Sequence, residues 1–204
     1  VAKRAYHHGD LKRALVDATL LLLKTEAAES LTLREVARRV GVDHTAAYRH
    51  FEDKRALFAD VAEEGFRQLA EDMRKSVAKL QKKNAQVRLR ALARAYVAFA
   101  IAHPEHYRVM MGPRLNVEGR FPGLESAVME AYALLLDEVK RGLLSKTLRR
   151  AEKPQDLTMS VWTMAHGFST LVLLGRLRTK SPAIALRYFD TVVDPLIEGL
   201  KKTS

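Results

Sequence analysis

Five side chains crowd one short segment: His44, Thr45, Tyr48, Arg49 and His50. Imidazole, hydroxyl and guanidinium groups on one helix face are the chemistry of base edges and phosphate oxygens, not of a core. They are not a bond-breaking set. The chain shows no nucleophile triad, no phosphate-cradling glycine loop and no paired carboxylates, so no catalytic residue is assigned. His103, Glu105 and His106 could suggest a metal site. Pro104 interrupts them and no third ligand is well placed, so they read as a helix junction, and no metal or cofactor is expected.

The donor segment needs something to hold it outward, and the preceding residues supply it. Thr32 can cap a helix, and Glu35 three residues on can return the bond, making a capping box. Leu33, Val36, Ala37 and Val40 then follow helical spacing. Gly41 can take the left-handed conformation that ends the helix in a sharp turn. Asp43 caps a second short helix, expected over His44–Phe51, and Asp53 caps a third. Ala37 and Ala47 are small where the first two would cross. Two short helices joined through a glycine turn form a helix-turn-helix signature.

Beyond the motif, hydrophobic spacing predicts an all-α chain of about nine helices, without strand-like alternation or internal repeats. The first helix is expected from Gly9-Asp10 to about Ala27, and Lys3 and Arg4 lie on a polar arm before it. A long helix should run from Asp53 toward Asn84. Others follow over Gln86–Ala102 (Ala-rich on one face), from Pro104, over Leu124–Thr147, and from Pro154 and Pro182. Pro195 is expected to kink the last. The chain has 204 residues, 48% hydrophobic, enough to bury a sizeable core. It lacks Cys, which fits a reducing cytoplasm, and its apolar runs fall short of the roughly 20 residues of a membrane span. No membrane partner is expected. Net charge is +11, which favours an anionic partner. Residues 1–55 hold eleven Lys/Arg against eight Asp/Glu, so most of the excess lies elsewhere. Much of it sits in basic runs at 74–94 and 140–153, read as solvated helix ends.

LREVARRVGV followed by AAYRHFEDKRALF resembles the DNA-binding segment of the tetracycline-repressor-like (TetR) family of bacterial regulators. YHHGDLKRAL is similar to one subgroup, as are Trp162, His166 and Gly167 late in the chain. Asp43 and Ala46 depart from the common pattern, which bears on the operator sequence. The resemblance implies a DNA-binding domain at 1–56 and an effector-binding and dimerisation domain at 57–204. It places Arg34, His44, Thr45 and Arg49 at base edges, and Thr32, Tyr48, His50 and Lys54 at phosphates.

Large soft side chains in the middle helices suit either a core or an apolar pocket. The resemblance favours a pocket lined by Phe99, Tyr107, Met111, Met129, Tyr132, Trp162 and His166. The last two helices carry Leu171–Leu174 and Phe189, Val192, Val193, Leu196, Ile197 and Leu200, apolar on two sides. Such a pair wants a partner. The expected function is therefore a homodimeric regulator of double-stranded DNA, a repressor released from a palindromic operator by a largely apolar small molecule. A DNA-architectural protein and a helical enzyme with a cryptic site remain as alternatives.

Overall fold

The computed structural model describes residues 8–115, 119–149 and 153–201. The Lys3–Arg4 arm lies outside them. Nine α-helices are described: α1 His8–Leu22, α2 Leu33–Val40, α3 His44–Tyr48, α4 Lys54–Ala78, α5 Ala85–Ala102, α6 Pro104–Met110, α7 Pro122–Leu144, α8 Pro154–Leu173 and α9 Pro182–Gly199. Among the described residues the only extended pairing is an isolated bridge between Leu148 and Lys201. No described helix is long and apolar enough to cross a membrane.

The chain divides into two compact units. The first comprises Val1–Gly65 and Glu105–Glu125, the second Phe66–Pro104 and Ser126–Ser204. The boundary expected at 56/57 falls inside α4. The first unit is discontinuous because α6 lies against α4: a Cβ on Gly65 would meet the Met110 thioether and the His106 Cβ. Spacing along one helix cannot announce that approach.

Helix ends differ from expectation for local reasons. α1 opens at His8, before the expected Gly9-Asp10 cap. It stops at Leu22, where the Lys24 and Thr25 N–H groups turn back to Leu21 and Leu22. α3 ends at Tyr48 because the His50 and Phe51 N–H groups both fold onto the Ala47 carbonyl. α4 stops at Ala78, and Asn84 restarts the chain by accepting the Val87 N–H at 3.0 Å.

In the first unit, Leu15, Leu31, Leu33, Val36, Ala37, Ala47, Phe51 and Leu57 make the shared core of α1–α4. In the second, α5 packs on both α8 and α9. Its core holds Leu89, Leu92, Val97, Val161, Phe168, Phe189, Val193, Ile197 and Leu200. This corrects one expectation. Leu200 is only 1% exposed, filling the chain's own core rather than a partner-facing stripe. The apolar groups left outward on α8, α9 and the turn after α8 are Met159, Leu171, Leu174, Ile184 and Tyr188, with Leu196 half-buried. The alanine face of α5 is likewise open: Ala91, Ala95, Ala98 and Ala102 line a groove of ≈ 490 Å³ with Asp72, Ser76, Arg94 and Phe99.

Candidate nucleic-acid interface

The motif begins with a complete capping box. The Glu35 N–H donates to Thr32 Oγ1 at 3.2 Å, and the Thr32 N–H donates to Glu35 Oε2 at 2.8 Å. The Thr32 hydroxyl, bonded to the same carboxylate, is the main cause that holds Glu35 below the usual carboxylate range. Gly41 closes α2 at φ 82°, the left-handed conformation that disfavours side chains. The Val42 N–H reaches back to the Ala37 carbonyl at 3.0 Å and the Gly41 N–H to Arg38 at 3.1 Å.

Asp43 then caps α3. Its Oδ1 accepts from the Thr45 hydroxyl at 2.6 Å and the Thr45 N–H at 2.8 Å, and these bonds lower its pKa. Ala37 and Ala47 are both fully buried, consistent with the close α2–α3 crossing. A larger side chain at either would hold the helices apart.

Arg34, His44, Thr45, Tyr48 and Arg49 are all exposed, and His50 is half-buried. Arg34 and His44 share the rim of one groove of ≈ 430 Å³ with Glu35, Arg38, Gly41, Val42 and Asp43. Arg38 is an addition to the sequence-derived set. Its signal was its position one helical turn after Arg34, so both cations share a face. The Tyr48 ring stands edge-on to His44 at 6.3 Å.

Thr32, Thr45 and Lys54 have intramolecular hydrogen-bond partners. Thr32 and Thr45 spend their hydroxyls on caps. Lys54 donates to the Glu29 carbonyl at 2.9 Å and the Ala28 carbonyl at 3.3 Å, with its ammonium 5.6 Å from the Phe58 ring centre. Lys54 therefore ties the α1–α2 turn to α4.

The loop before α7 is tied to the same end of α4. Arg120 donates to Glu52 at 2.7 Å and Asp53 at 3.0 Å, and Arg55 donates to the Arg114 carbonyl at 3.2 Å. Burial raises the Asp53 pKa, but the Ala56 N–H and Arg120 outweigh it and the carboxyl is lowered overall.

The seven effector candidates divide between the two units. Tyr107 is buried and Met111 half-buried in the first. In the second, Trp162 and His166 stack with centroids 5.3 Å apart, and His166 Nδ1 lies 3.2 Å from the Tyr96 hydroxyl. Tyr96 was not singled out from sequence; one Tyr on a buried helix face carries no signal until its neighbour is known. Burial lowers the His166 pKa. Phe99 is buried beside the His103 ring, Tyr132 is half-buried, and Met129 is 56% exposed, so it walls no closed cavity.

Two family models match this chain. Residues 15–61 match the tetR family of bacterial regulatory proteins, and residues 89–196 match the tetracyclin repressor-like C-terminal domain. The nucleoid occlusion factor SlmA of Marinobacter nauticus is 26% identical over 144 residues, covering 71% of this chain and 72% of SlmA. A solved structure from Rhodococcus sp. RHA1 superimposes with TM-score 0.79 and 28% identity, covering 98% of this chain and 100% of that one. The stearoyl-CoA complex of FadR from Bacillus subtilis shares the fold, with TM-score 0.74, 15% identity and coverage of 92% and 98%. The capped helix-turn-helix and the helical region that follows it thus each have their counterpart, and the chain belongs to the tetracycline-repressor-like family of DNA-binding, ligand-responsive transcriptional regulators.

Proposed function

We propose that this regulator is a homodimeric repressor that a largely apolar small molecule releases from a palindromic operator. The observation that carries the DNA-reading half is the pair of caps around Gly41, which fixes α3 with Arg34, Arg38 and His44 on one groove and Tyr48 and Arg49 exposed. In this reading Arg34, His44, Thr45 and Arg49 face base edges, while Tyr48 and His50 hold phosphates. Thr32, whose N–H and hydroxyl both bond Glu35, contributes to the phosphate contact by capping the N-terminus of α2 rather than through a free donor. Lys54 acts chiefly by holding the turn at Ala28 and Glu29, where its charge still favours phosphate. Residues 1–56 carry DNA binding, and 57–204 carry effector binding and dimerisation.

For the effector, the supported focus is the Trp162–His166 stack with the Tyr96 hydroxyl. A lowered His166 pKa favours a neutral imidazole, suited to a ligand with one or two polar groups. Effector binding would act through α4, which begins at the motif and continues to Ala78. A cytoplasmic, non-enzymatic role follows from this reading.

The partner-facing surface is assigned to Leu171, Leu174, Ile184 and Tyr188, which α8, the turn after it and α9 leave exposed. Footprinting tests the assignment. The wild type should protect a discrete palindrome whose half-site centres lie about 34–36 Å apart. Tyr188→Glu should sediment as a monomer at micromolar concentration and lose the footprint, because the half-sites are no longer linked. A Tyr188→Glu protein that stays dimeric moves the interface elsewhere. Uniform protection along DNA by the wild type favours an architectural protein instead.

A further inference from the structure

The two basic runs, distant in sequence, meet at one end of the second unit. Arg141 on α7 donates to the Gln81 carbonyl at 3.4 Å and the Lys83 carbonyl at 3.2 Å, fixing the α4–α5 turn against the end of α7. Gln86 donates to the Thr147 carbonyl at 2.5 Å, closing the same junction. Lys79, Lys82, Lys83, Lys140, Lys146 and Arg149 are all exposed around it. Of the acids nearby in sequence, Asp137 lies within 3.8 Å of Lys140, and Glu138 is buried against Arg88 and Arg141. No acidic residue occurs between Asp72 and Glu105, or between Glu138 and Glu152.

One apolar group protrudes from this surface. Leu144 is 84% exposed, the most exposed large hydrophobic among the described residues. It follows Arg141 by three positions, so it shares that helix face, and it ends α7. The chain then reverses, with the Thr147 and Leu148 N–H groups bonded to the Gly142 carbonyl and Lys146 at φ 54°. A leucine beside lysines is thereby held out at the tip of a turn.

We propose that this tip is a peripheral contact for a bilayer rich in anionic phospholipid: the lysines meet headgroup phosphates and Leu144 enters the interface. Exposed Lys/Arg clusters are drawn to such surfaces additively. The leucine decides between polyanions. Against a nucleic-acid backbone it gains nothing, whereas an interface removes its surface from water. Among the described residues the patch also carries no aromatic side chain on which bases could stack. The contact is peripheral, so it needs no spanning helix.

The test is co-sedimentation of the full chain with vesicles at about 0.15 M salt, where surface charges are screened beyond about 8 Å. Equimolar phosphatidylglycerol–phosphatidylcholine vesicles should bind the protein and pure phosphatidylcholine vesicles should not. Lys82→Glu/Lys83→Glu/Lys146→Glu should lower partitioning by about a hundredfold or more, since each lost charge near the surface is worth about fivefold. Leu144→Ser should lower it several-fold, with helicity and DNA affinity retained in both variants. Equal binding to both vesicle types, or wild-type partitioning by the triple variant, overturns the proposal. So does a triple variant that loses duplex DNA affinity while still binding vesicles, which would make the patch a nucleic-acid surface. If Leu144→Ser instead abolishes self-association without changing partitioning, the tip meets a second copy and the proposal also fails.

Discussion

Ala47→Leu should abolish specific DNA binding while leaving the second unit folded. Ala47 and Ala37 are both 0% exposed at the point where α2 and α3 meet. The Ala47 carbonyl also receives the His50 and Phe51 N–H groups that end α3. Three added carbons have no space there, and overpacking of this kind costs about 1–3 kcal/mol. Relief requires α3 to move. A bidentate base contact is worth about 1–3 kcal/mol of discrimination and depends on close geometry. Displacing α3 disturbs Arg49, Tyr48 and His44 together, so operator affinity should fall at least a hundredfold. Trp162 emission, which reports on the second unit, should be unchanged. Operator affinity within threefold of wild type would show that the α2–α3 crossing does not set the reading surface.

The second large effect is expected at Glu138. This carboxylate is 4% exposed and accepts from Arg88 Nε at 2.7 Å and from Arg141 at 2.9 and 2.6 Å. Arg88 is itself only 15% exposed and bonds the Val77 carbonyl at 3.1 Å. Glu138→Ala removes the carboxylate and leaves the Arg88 charge largely buried without it. Breaking such a pair costs about 3–5 kcal/mol, a large share of the roughly 5–15 kcal/mol by which domains are stable. Arg141 keeps the Gln81 and Lys83 carbonyls, so most of the loss arises at Arg88. Urea unfolding should show a clearly lower midpoint for Glu138→Ala and a smaller drop for Glu138→Gln, which retains an acceptor. A loss below about 1 kcal/mol for the alanine variant would mean that this cluster does not anchor α5 to α7.

The contrast between these sites shows what the sequence could disclose. The capping box at Thr32 and Glu35, the turn at Gly41 and the cap at Asp43 are local devices, so spacing alone finds them. Ala37 and Ala47 were legible because their size matters only at a crossing. Periodicity reveals that a helix has an apolar face, but not which distant element covers it. That is why Leu200 resembled a partner-facing residue and is core, while Leu171 and Tyr188 remain outside. The same limit hid Lys54 from its carbonyl partners, which lie 25 and 26 positions earlier. It also hid Tyr96 from His166, and α6 from Gly65. Basic runs far apart in sequence gave no hint that Arg141 joins them. The family resemblance supplied the function and named the residues expected to read DNA; the physical pattern alone supplied only a helix-turn-helix with outward donors.

DNA occupancy and small-molecule occupancy should oppose one another in this chain. The most direct measurement titrates a candidate effector into the operator complex while following Trp162 emission and DNA anisotropy in the same sample. Trp162 is the only tryptophan and stacks on His166, so its emission reports one site. Linkage requires that a ligand weakening DNA binding be weakened by DNA to the same factor. Emission should change saturably, DNA should be released over the same concentrations, and excess operator should shift both curves upward together. A ligand that saturates the Trp162 signal while DNA affinity stays constant would contradict it.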